Sequence, residues 1–498
     1  MRDPAAVVKA YDIRGVVDEE LDEELAERFG AAFTAMVQEP EVVVGHDMRH
    51  SSPRLTRAFV RGVLGQGRDV VRIGLASTDM LSYASASLGR PGAMITASHN
   101  PPEYNGIKLC HAHAAPFGWD TGLRELLETA RTPPTWPAAR TGTARDHPML
   151  AAYRDHLLAL AAPDAAPVRR VTAVVEAGGG MAGLTVPAVL AALPVDVIPL
   201  NFAVDGVFPH PDADPMKPRY TAALRALVRE ARADVGFAFD GDADRCVVVD
   251  EHGETVPASA VGVLLAGRAL ARQPGAAVVH SAVTSRSLAE EVTALGGRPV
   301  RSRVGHSYMK REMARHRAVL GVEHSAHYYF GEFWNADSGL LAALHVLAAM
   351  GATPTPVSAL IDGRTRYTTL PETAVSVDDP DERLREVARA ASIRPGTTCD
   401  WLDGLTVHRP DGAWFNIRPS NTEARGLLRF NVEAPDAAVA RALRAEVLTL
   451  VETGHPAARD PSTPYAPSSP TAPTDLSTPP ATPSAPAVPA QPRSAITP

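Results

Sequence analysis

The strongest chemical signal in the sequence is an acidic run that contains Asp240, Asp242, Asp244 and Arg245. Three carboxylates at alternate positions can converge from one loop on a hard cation. A calcium loop begins in the same way, but Arg245 occupies the position where that loop needs glycine for its turn. The run also lies between two apolar, strand-like segments, where three acids are costly unless they are neutralised, which disfavours an ordinary acidic surface loop. The pattern therefore predicts a Mg²⁺ site held by the three aspartates.

A second candidate is Ser98, which follows an apolar segment and precedes Pro101 and Pro102. The prolines end regular structure, so the serine is expected in a loop at the end of a strand. A serine hydroxyl is a weak nucleophile until a base, a charge or a metal activates it, and His99 stands beside it. An ordinary Ser/Asn/Pro turn is the alternative for this stretch taken alone. A hydrolase is disfavoured because no Gly-x-Ser-x-Gly elbow surrounds the serine.

Glu323, Ser325 and His327 alternate along the chain, so they would share one face of an extended segment. That face would offer hydrogen-bond donors and acceptors suited to sugar hydroxyls. His327 could also transfer protons near neutral pH. A strand end with satisfied polar groups explains the same residues equally well.

A phosphate cradle is predicted where a strand ends in Arg418, Ser420, Asn421 and Thr422. These residues supply a guanidinium, two hydroxyls, an amide and backbone N–H groups, which together suit a phosphate. A plain Ser/Asn turn does not explain the arginine.

Four isolated cations are weaker candidates, and each is an ordinary loop residue when considered alone. Arg14 lies in a short polar turn near the N-terminus, and Lys108 follows the Ser98 loop closely enough to reach it. Lys310 lies in a further polar loop. Arg286 is expected near the aspartate run.

The composition is ordinary for a globular protein, with 45% hydrophobic and 21% charged residues and a net charge of −8. The negative charge disfavours nucleic acid as a partner. The three cysteines are far apart and show neither metal-binding nor disulfide spacing. Charges stand where a signal peptide needs an apolar core, and no uncharged apolar run could span a bilayer. We expect a soluble, cytoplasmic protein without a membrane partner.

The elements that must position these residues follow a repeated order. A chain of 498 residues is too long for one core, and three strand–loop–helix–strand units predict three related α/β domains at 1–150, 151–256 and 257–364. Residues 365–455 read as a smaller α+β domain. The motifs fall on four successive domains, which predicts a central cleft. Residues 456–498 are rich in Pro, Ser, Thr and Ala and are predicted to be a disordered tail.

With its four motifs in this order, the chain resembles the α-D-phosphohexomutase family over residues 1 to about 455. The resemblance implies a four-domain molecule in which Ser98 is the phosphoserine and completes the metal site of the three aspartates. It implies that Arg14, Lys108 and His327 lie near proton transfer, and that Arg245 offsets charge on the transferring group. His99 is placed with these catalytic residues. The predicted sugar- and phosphate-binding residues are Glu323, Ser325, His327, Lys310, Arg418, Ser420, Asn421 and Thr422.

The activity that the resemblance implies is phosphoryl transfer from Ser98 to a hexose monophosphate through a hexose 1,6-bisphosphate, with Mg²⁺ as cofactor and the bisphosphate as activator. The run from Glu323 to Phe330 is most similar to bacterial phosphomannomutases, which favours mannose 6-phosphate and mannose 1-phosphate and a role in GDP-mannose supply. Glucose phosphates come second, as substrates of a phosphoglucomutase or a dual-specificity enzyme, and glucosamine phosphate third. Ala326 and the stretch from Glu176 to Gly180 depart from the usual pattern. An inactive sugar-phosphate-binding scaffold is the alternative from another class, and a monomer or dimer is expected.

Overall fold

The computed structural model describes residues 2–132, 141–161, 169–209, 214–351, 354–364, 366–420 and 426–453. The predicted tail at 456–498 lies outside the described residues, as do Asn421 and Thr422. In the part of the chain that is described, no helix is both long and apolar enough to cross a membrane.

The first sheet has six strands in the order β1-β5-β4-β2-β3-β6. Its strands are β1 (Ile13–Val16), β2 (Glu41–His46), β3 (Asp69–Leu75), β4 (Gly92–Ile95), β5 (Tyr104–Cys110) and β6 (Ala144–Asp146). The helices of this part are α1 (Glu23–Met36), α2 (Ser52–Gly65), α3 (Thr78–Leu88), α4 (Leu123–Arg131) and α5 (Leu150–Ala161).

The second and third sheets have five strands each, in the orders β11-β10-β9-β7-β8 and β13-β12-β14-β15-β16. The second comprises β7 (Val171–Glu176), β8 (Val195–Leu200), β9 (Val235–Phe239), β10 (Cys246–Val249) and β11 (Thr255–Val256), with α6 (Ala182–Leu190) and α7 (Pro218–Ala231). The third comprises β12 (Ala277–Ser281), β13 (Arg298–Ser302), β14 (Leu320–Val322), β15 (Tyr328–Phe330) and β16 (Ala336–Asp337), with α8 (Ala258–Arg272), α9 (Arg286–Ala294), α10 (His306–His316), α11 (Gly339–Gly351) and α12 (Val357–Ile361).

These three sheets share one pattern of strand directions. In each, three neighbouring strands are parallel, the chain then reverses into an antiparallel strand, and a further strand pairs antiparallel with that one. In the first sheet this further strand is the N-terminal β1, and a fourth parallel strand, β6, lies at the other edge. The reversal follows β4 in the first sheet, β9 in the second and β14 in the third. The prediction of three related α/β domains is confirmed at the level of topology.

The fourth sheet is antiparallel and smaller. It comprises β17 (Thr368–Thr369), β18 (Thr373–Ser376), β19 (Thr398–Asp400), β20 (Leu405–His408), β21 (Trp414–Pro419) and β22 (Leu427–Ala434), with α13 (Pro380–Ser392) and α14 (Ala437–Thr453). This arrangement agrees with the predicted α+β domain.

Burial divides the described residues into one large core and separate smaller ones. The large core is continuous across the first three sheets, since Met94, Val174 and Val322 all belong to it. Helix α11 is its centre, because every residue of this helix is buried. The fourth sheet packs its own core around Phe415 and Leu443. The first three domains are thus joined by apolar packing, which fixes the loops that they carry relative to one another.

Local signals in the sequence explain where α3 begins and ends. The Ser77 hydroxyl caps the helix by accepting from the Met80 N–H, and Gly89 ends the helix at φ 62°, in the left-handed region that glycine adopts without strain. The buried Asp79 carboxylate accepts hydrogen bonds from Tyr153 Oη at 2.6 Å and Ser338 Oγ at 2.5 Å, so it ties α3 to α5 and to the third domain. The first turn of α3 is therefore fixed by contacts with both α5 and the third domain.

Candidate active site

Ser98 lies in the loop between β4 and β5, where the chain of the first sheet reverses. The residue is 4% exposed and has φ 50°, a left-handed conformation that costs a non-glycine residue about 1 kcal/mol. Its Oγ donates to Asp240 Oδ2 at 2.7 Å and lies 3.2 Å from His99 Nδ1. The strained turn therefore points the hydroxyl out of the first domain and at the aspartate loop of the second.

Arg49, to which the sequence analysis assigned no role, stabilises this turn by hydrogen bonds to its backbone. Its guanidinium donates to the carbonyl oxygens of Ser98 at 2.9 Å, Asn100 at 2.6 Å, Pro101 at 2.7 Å and Tyr104 at 2.9 Å. The arginine is only 1% exposed, so each of these bonds replaces hydration that the carbonyls have lost. The signal in the sequence that could have pointed to Arg49 is the run Gly-His-Asp-Met-Arg, which begins at the end of β2.

The three aspartates meet in the loop between β9 and β10, the reversal of the second sheet. Asp240, Asp242 and Asp244 are at most 2% exposed, and one carboxylate oxygen from each lies within 4.8 Å of the others. Ala243 at φ 62° provides the curl that turns alternate side chains to one point. Among the described residues, Oδ1 of Asp242 has no hydrogen-bond partner, and Oδ1 of Asp244 faces only His327 Nε2, 3.4 Å away. Buried carboxylate oxygens without donors suit a hard divalent cation.

Lys108 on β5 reaches the same carboxylates. Its Nζ lies 2.7 Å from Asp242 Oδ2 and 2.6 Å from Asp244 Oδ2. Burial disfavours the ammonium form, but Asp242 and Asp244 more than offset it, so the pKa of Lys108 is raised. Burial, helped by Asp244, raises the pKa of Asp240 to about 7. The pKa of Asp244 is held well below its usual range because Lys108 and His327 outweigh its burial.

Thr78, at the first position of α3, fixes the orientation of Asp242. Its Oγ1 donates to Asp242 Oδ2 at 2.6 Å, and its N–H donates to the Asp242 carbonyl at 3.0 Å. The sequence analysis assigned no role to this residue. A hydrogen-bonded partner that orients a metal-binding carboxylate is a common feature of metal sites.

The segment from Glu323 to His327 is not extended, as its alternating polar residues predicted, but forms the turn between β14 and β15. Ala326 stands at φ 64°, and its N–H donates to the Glu323 carbonyl at 3.2 Å. Glycine adopts a left-handed φ without strain, so it would suit this position better than alanine. The turn still gathers the three side chains, since Ser325 Oγ and Glu323 Oε2 lie 2.9 and 3.8 Å from His327 Nδ1.

His327 connects this turn to the aspartate loop. Its Nε2 lies 3.4 Å from Asp244 Oδ1, and its backbone forms an antiparallel bridge with Arg245. Burial alone would lower the pKa of His327, but Asp244 and Glu323 outweigh it and raise that pKa. Glu323 is fully engaged as well, accepting from the Gly305 N–H at 2.8 Å and from the Tyr329 hydroxyl at 2.6 Å.

Two arginines bring donors that lack partners to the Ser98–Asp240 contact. Arg245 binds Asp240 at 3.0 Å and Asp214 at 3.1 Å, while its Nη2 is buried without a partner in the described chain. Arg14 binds Asn100 at 2.6 Å and also Asp12, and its Nε is likewise buried and unpaired among these residues. Buried guanidinium groups with spare donors suit an anionic phosphoryl group.

His99 differs from His327 in its charge state. Its pKa is lowered well below the usual value by burial and by the cations Arg245, Arg14 and Lys108. The imidazole beside the Ser98 hydroxyl is therefore neutral at neutral pH.

Lys310, on α10, forms an ion pair with Asp337 at 3.0 Å, and both side chains are buried. Asp337 and His327 interact electrostatically, which places Lys310 beside the turn at 323–327. The cation predicted from an isolated polar loop thus belongs to the same cluster.

The predicted phosphate cradle reaches the cluster through Glu372. This carboxylate accepts from Arg418 at 2.6 Å and lies 3.5 Å from His324 Nε2, one residue from Glu323. Ser420, at the end of the same strand, pairs with the opposite strand, and its Oγ accepts from Arg429 Nε at 3.3 Å. Asn421 and Thr422 lie outside the described residues, so their predicted roles stay predictions.

Arg286 is the candidate that the sequence misplaced. Its guanidinium contacts Glu433 at 3.4 Å and the Gly412 carbonyl at 2.5 Å, and it stacks over the Tyr367 ring at 4.4 Å. These partners lie in and beside the fourth domain, not in the aspartate loop. The sequence showed that Arg286 follows a parallel strand, but it did not show which neighbouring domain the side chain would contact.

Four domains thus bring together a buried serine, three aspartates, a turn of polar side chains and several guanidinium groups, which are the residue types that an enzyme of phosphoryl transfer on sugar phosphates uses. Models of the phosphoglucomutase/phosphomannomutase family match the chain in order. They match its alpha/beta/alpha domains I, II and III at residues 5–132, 151–253 and 258–367, and its C-terminal domain at residues 372–450. The chain belongs to this family, whose members are isomerases.

Similar proteins include enzymes named for mannose and enzymes named for glucose. A phosphomannomutase of Escherichia coli is 36% identical over 457 residues, which cover 89% of this chain and 98% of that protein. A phosphoglucomutase of Neisseria gonorrhoeae is 32% identical over 439 residues, covering 86% and 93%. Among solved structures, a family protein of Burkholderia thailandensis superposes with a TM-score of 0.82 at 29% identity, covering 91% of this chain and 99% of that one.

Proposed function

We propose that this chain interconverts mannose 6-phosphate and mannose 1-phosphate, with Ser98 as the residue that carries the transferred phosphoryl group. The observation that carries the proposal is the contact of Ser98 Oγ with Asp240 at 2.7 Å, beside buried donors of Arg14 and Arg245 that have no partner in the described chain. A nucleophile, a divalent-cation site and spare guanidinium donors at one point are the requirements of phosphoryl transfer.

Asp240, Asp242 and Asp244 would hold Mg²⁺ together with the Ser98 side chain. When bound there, Mg²⁺ supplies charge neutralisation for the transferring group. The chain's own part is to orient these ligands, through Thr78 on Asp242 and Lys108 on Asp242 and Asp244.

In the first half-reaction, the bond between Ser98 Oγ and phosphorus breaks while a bond from a free sugar hydroxyl to phosphorus forms. The sugar hydroxyl gives up a proton and Ser98 Oγ regains one, so protons balance over the step. We assign uptake of the sugar proton to the His327 imidazole and delivery of a proton to Ser98 Oγ to the Lys108 ammonium, which both contact Asp244. Arg14 and Arg245 bind the transferring group, and neutral His99 orients the serine hydroxyl.

The second half-reaction returns the other phosphoryl group of the hexose 1,6-bisphosphate to Ser98. This requires the bisphosphate to bind in either of two orientations, with one phosphate held each time by Arg418, Ser420, Asn421 and Thr422. Glu323 and Ser325 would bind sugar hydroxyls. Lys310, through its ion pair with Asp337, would support the turn that carries them. The bisphosphate itself serves as the activator that phosphorylates Ser98.

A phosphoglucomutase, or an enzyme that accepts both sugars, is the second candidate. It is favoured by the phosphoglucomutase of Neisseria gonorrhoeae, which is similar over most of its length. Mannose and glucose differ in the orientation of one hydroxyl, so a turn of donors and acceptors can accept either.

The test is ³¹P NMR of the purified protein with Mg²⁺ and a trace of hexose 1,6-bisphosphate. Mannose 1-phosphate and glucose 1-phosphate are supplied in equal amounts. We expect mannose 6-phosphate to appear faster, to be absent with Ser98→Ala, and to be unchanged with Ser87→Ala, an exposed serine of the same domain. Equal rates would establish dual specificity, and no 6-phosphate from either sugar would refute the proposal and leave a glucosamine phosphate mutase or a scaffold.

A further inference from the structure

Two carboxylates from different parts of the second domain bind the guanidinium of Arg245. Its Nε donates to Asp240 Oδ2 at 3.0 Å and its Nη1 to Asp214 Oδ1 at 3.1 Å, while its Nη2 is buried without a partner in the described chain. Asp240 is a proposed Mg²⁺ ligand, whereas Asp214 lies outside the aspartate loop, on the segment that leads into α7. A carboxylate from a separate segment thus contacts the arginine that would bind the transferring phosphoryl group.

The second carboxylate restricts the orientation of the guanidinium. The group is planar, and its N–H donors point in fixed directions. With a hydrogen bond at Nε alone, the plane can turn about that bond, and rotation about Nε–Cζ can exchange Nη1 with Nη2. The bond from Nη1 to Asp214 opposes both motions, so Nη2 keeps one direction. Arg245 is 4% exposed, so little water is at hand to replace this bond if it breaks.

The position of Asp214 is itself fixed by its segment. Its Oδ1 also accepts from the Met216 N–H at 3.2 Å, and its carbonyl accepts from the Lys217 N–H at 3.1 Å, so the residue closes a turn before α7. Tyr220, in the first turn of α7, is buried and donates its hydroxyl to the carbonyl of Phe239, the last residue of β9. The turn at Asp214 and the aspartate loop are therefore anchored at the same strand end.

We propose that Asp214 is a positioning residue, which orients the Arg245 guanidinium so that Nη2 faces the phosphoryl group during transfer. Its side chain is 17% exposed, so water screens its charge, and its contribution is the direction of one hydrogen bond. This inference rests on the proposed function, in which Arg245 binds the transferring group.

Steady-state kinetics of two variants test the role of the acceptor. Asp214→Ala removes it and should lower kcat about tenfold or more with the KM for hexose phosphate unchanged, because Arg245 binds the transferring group and not the sugar. Asp214→Asn keeps an oxygen that can accept from Nη1 and from the Met216 N–H, so its kcat should stay within about threefold of the unmodified protein. A normal kcat in Asp214→Ala, or an equal loss in both variants, would overturn the proposal.

Asp205→Ala is the matched control. Asp205 is exposed, lies in the same domain and accepts from the Val207 N–H at 2.9 Å in a turn of the same kind, but it contacts no arginine among the described residues. We expect this variant to have normal kinetics. A loss of kcat as large as that of Asp214→Ala would assign the effect to the turns of this segment and contradict a role through Arg245.

A double variant tests whether Asp214 acts through Arg245. Arg245→Lys lacks the planar group that Asp214 would orient, so adding Asp214→Ala to it should lower kcat no further. Losses that multiply in the double variant would show that Asp214 acts by another route.

NMR of the protein with ¹⁵N-labelled arginine tests the orientation without an assay of activity. The signals that disappear in Arg245→Lys are assigned to Arg245. Its two Nη signals should be separate in the unmodified protein and in Asp214→Asn, and should merge in Asp214→Ala as Nη1 and Nη2 exchange. Separate signals in Asp214→Ala would overturn the proposal. The expected merging in a protein without mutase activity would refute the proposed function while leaving the orientation of Arg245 by Asp214 intact.

Discussion

Replacing Arg49 by lysine should lower kcat strongly without changing a group that contacts substrate. The guanidinium donates to four carbonyl oxygens of the Ser98 turn and binds Asp47 at 3.2 Å. A lysine ammonium keeps the charge but has only three donors at one point, so at least two of the five acceptors lose their partner. All of this lies in a site where Arg49 is 1% exposed.

The magnitude follows from that count. A buried acceptor left without its donor costs about 1–3 kcal/mol, so Arg49→Lys should destabilise the fold by about 3 kcal/mol. The same change releases a turn in which Ser98 is held at φ 50°. A displacement of about 1 Å at the nucleophile is enough to lower kcat about 100-fold. The KM for hexose phosphate should change little, because Arg49 faces the turn's carbonyls and not the sugar.

Urea unfolding and steady-state kinetics measure the two effects side by side. Arg54→Lys is the matched control, because Arg54 lies on the adjacent helix, is 30% exposed and binds Asp18 and Glu23 by ion pairs that are worth less than about 1 kcal/mol each. We expect this variant to behave like the unmodified protein. If Arg49→Lys kept the normal kcat and unfolding midpoint, the turn would not depend on the guanidinium, and the reasoning would be wrong.

Three further predictions concern Thr78, the proposed metal site and the buried Glu176. Thr78→Val should lower the affinity for Mg²⁺ about tenfold or more while leaving the fold intact, because it removes the hydroxyl that orients Asp242; titration of activity against Mg²⁺ measures this. Mg²⁺ at about 100 times its Kd should stabilise the unmodified protein by about 2.7 kcal/mol and Asp242→Asn far less; a melting curve with the same Mg²⁺ dependence in both would contradict the assigned ligands. Burial raises the pKa of Glu176 from 4.5 to about 7, against the donors Asn201 and Gly178, so its contribution to stability is present below pH 4.5 and is lost as the pH rises through 7. Glu176→Gln should therefore be more stable than the unmodified protein at pH 8, by up to about 3 kcal/mol, and lose this advantage towards pH 5; a pH-independent difference would refute it.

The residues of the proposed metal site could be identified from the sequence because they lie close together in it. Asp240, Asp242 and Asp244 stand within five positions of one another, and a strand on either side is enough to bury them. The strands themselves were predictable for the same reason: Val235–Phe239 and Cys246–Val249 are the apolar runs that flank the acids.

The supports of the site were not predictable, because they act across long separations in the sequence. Thr78 reaches Asp242 over 164 positions, and Arg49 binds backbone carbonyls about 50 positions away. A backbone carbonyl carries no residue type, so nothing in the sequence marks it as the partner of an arginine. The left-handed φ of Ala326 could not be predicted either, because glycine is the residue type that indicates this conformation and alanine is not.

The convergence of the three catalytic loops follows from one topological rule. Each loop leaves the third parallel strand of its sheet, at β4, β9 or β14, and each is followed by an antiparallel strand that turns the chain back. The reversal keeps the loop short, so its side chains stay at the carboxyl edge of the sheet. In open α/β sheets, ligands bind at that edge where the strand order changes direction. Because the three sheets share one apolar core, their three reversal points are fixed against each other, and the loops at Ser98, at 240–244 and at 323–327 meet without any long loop.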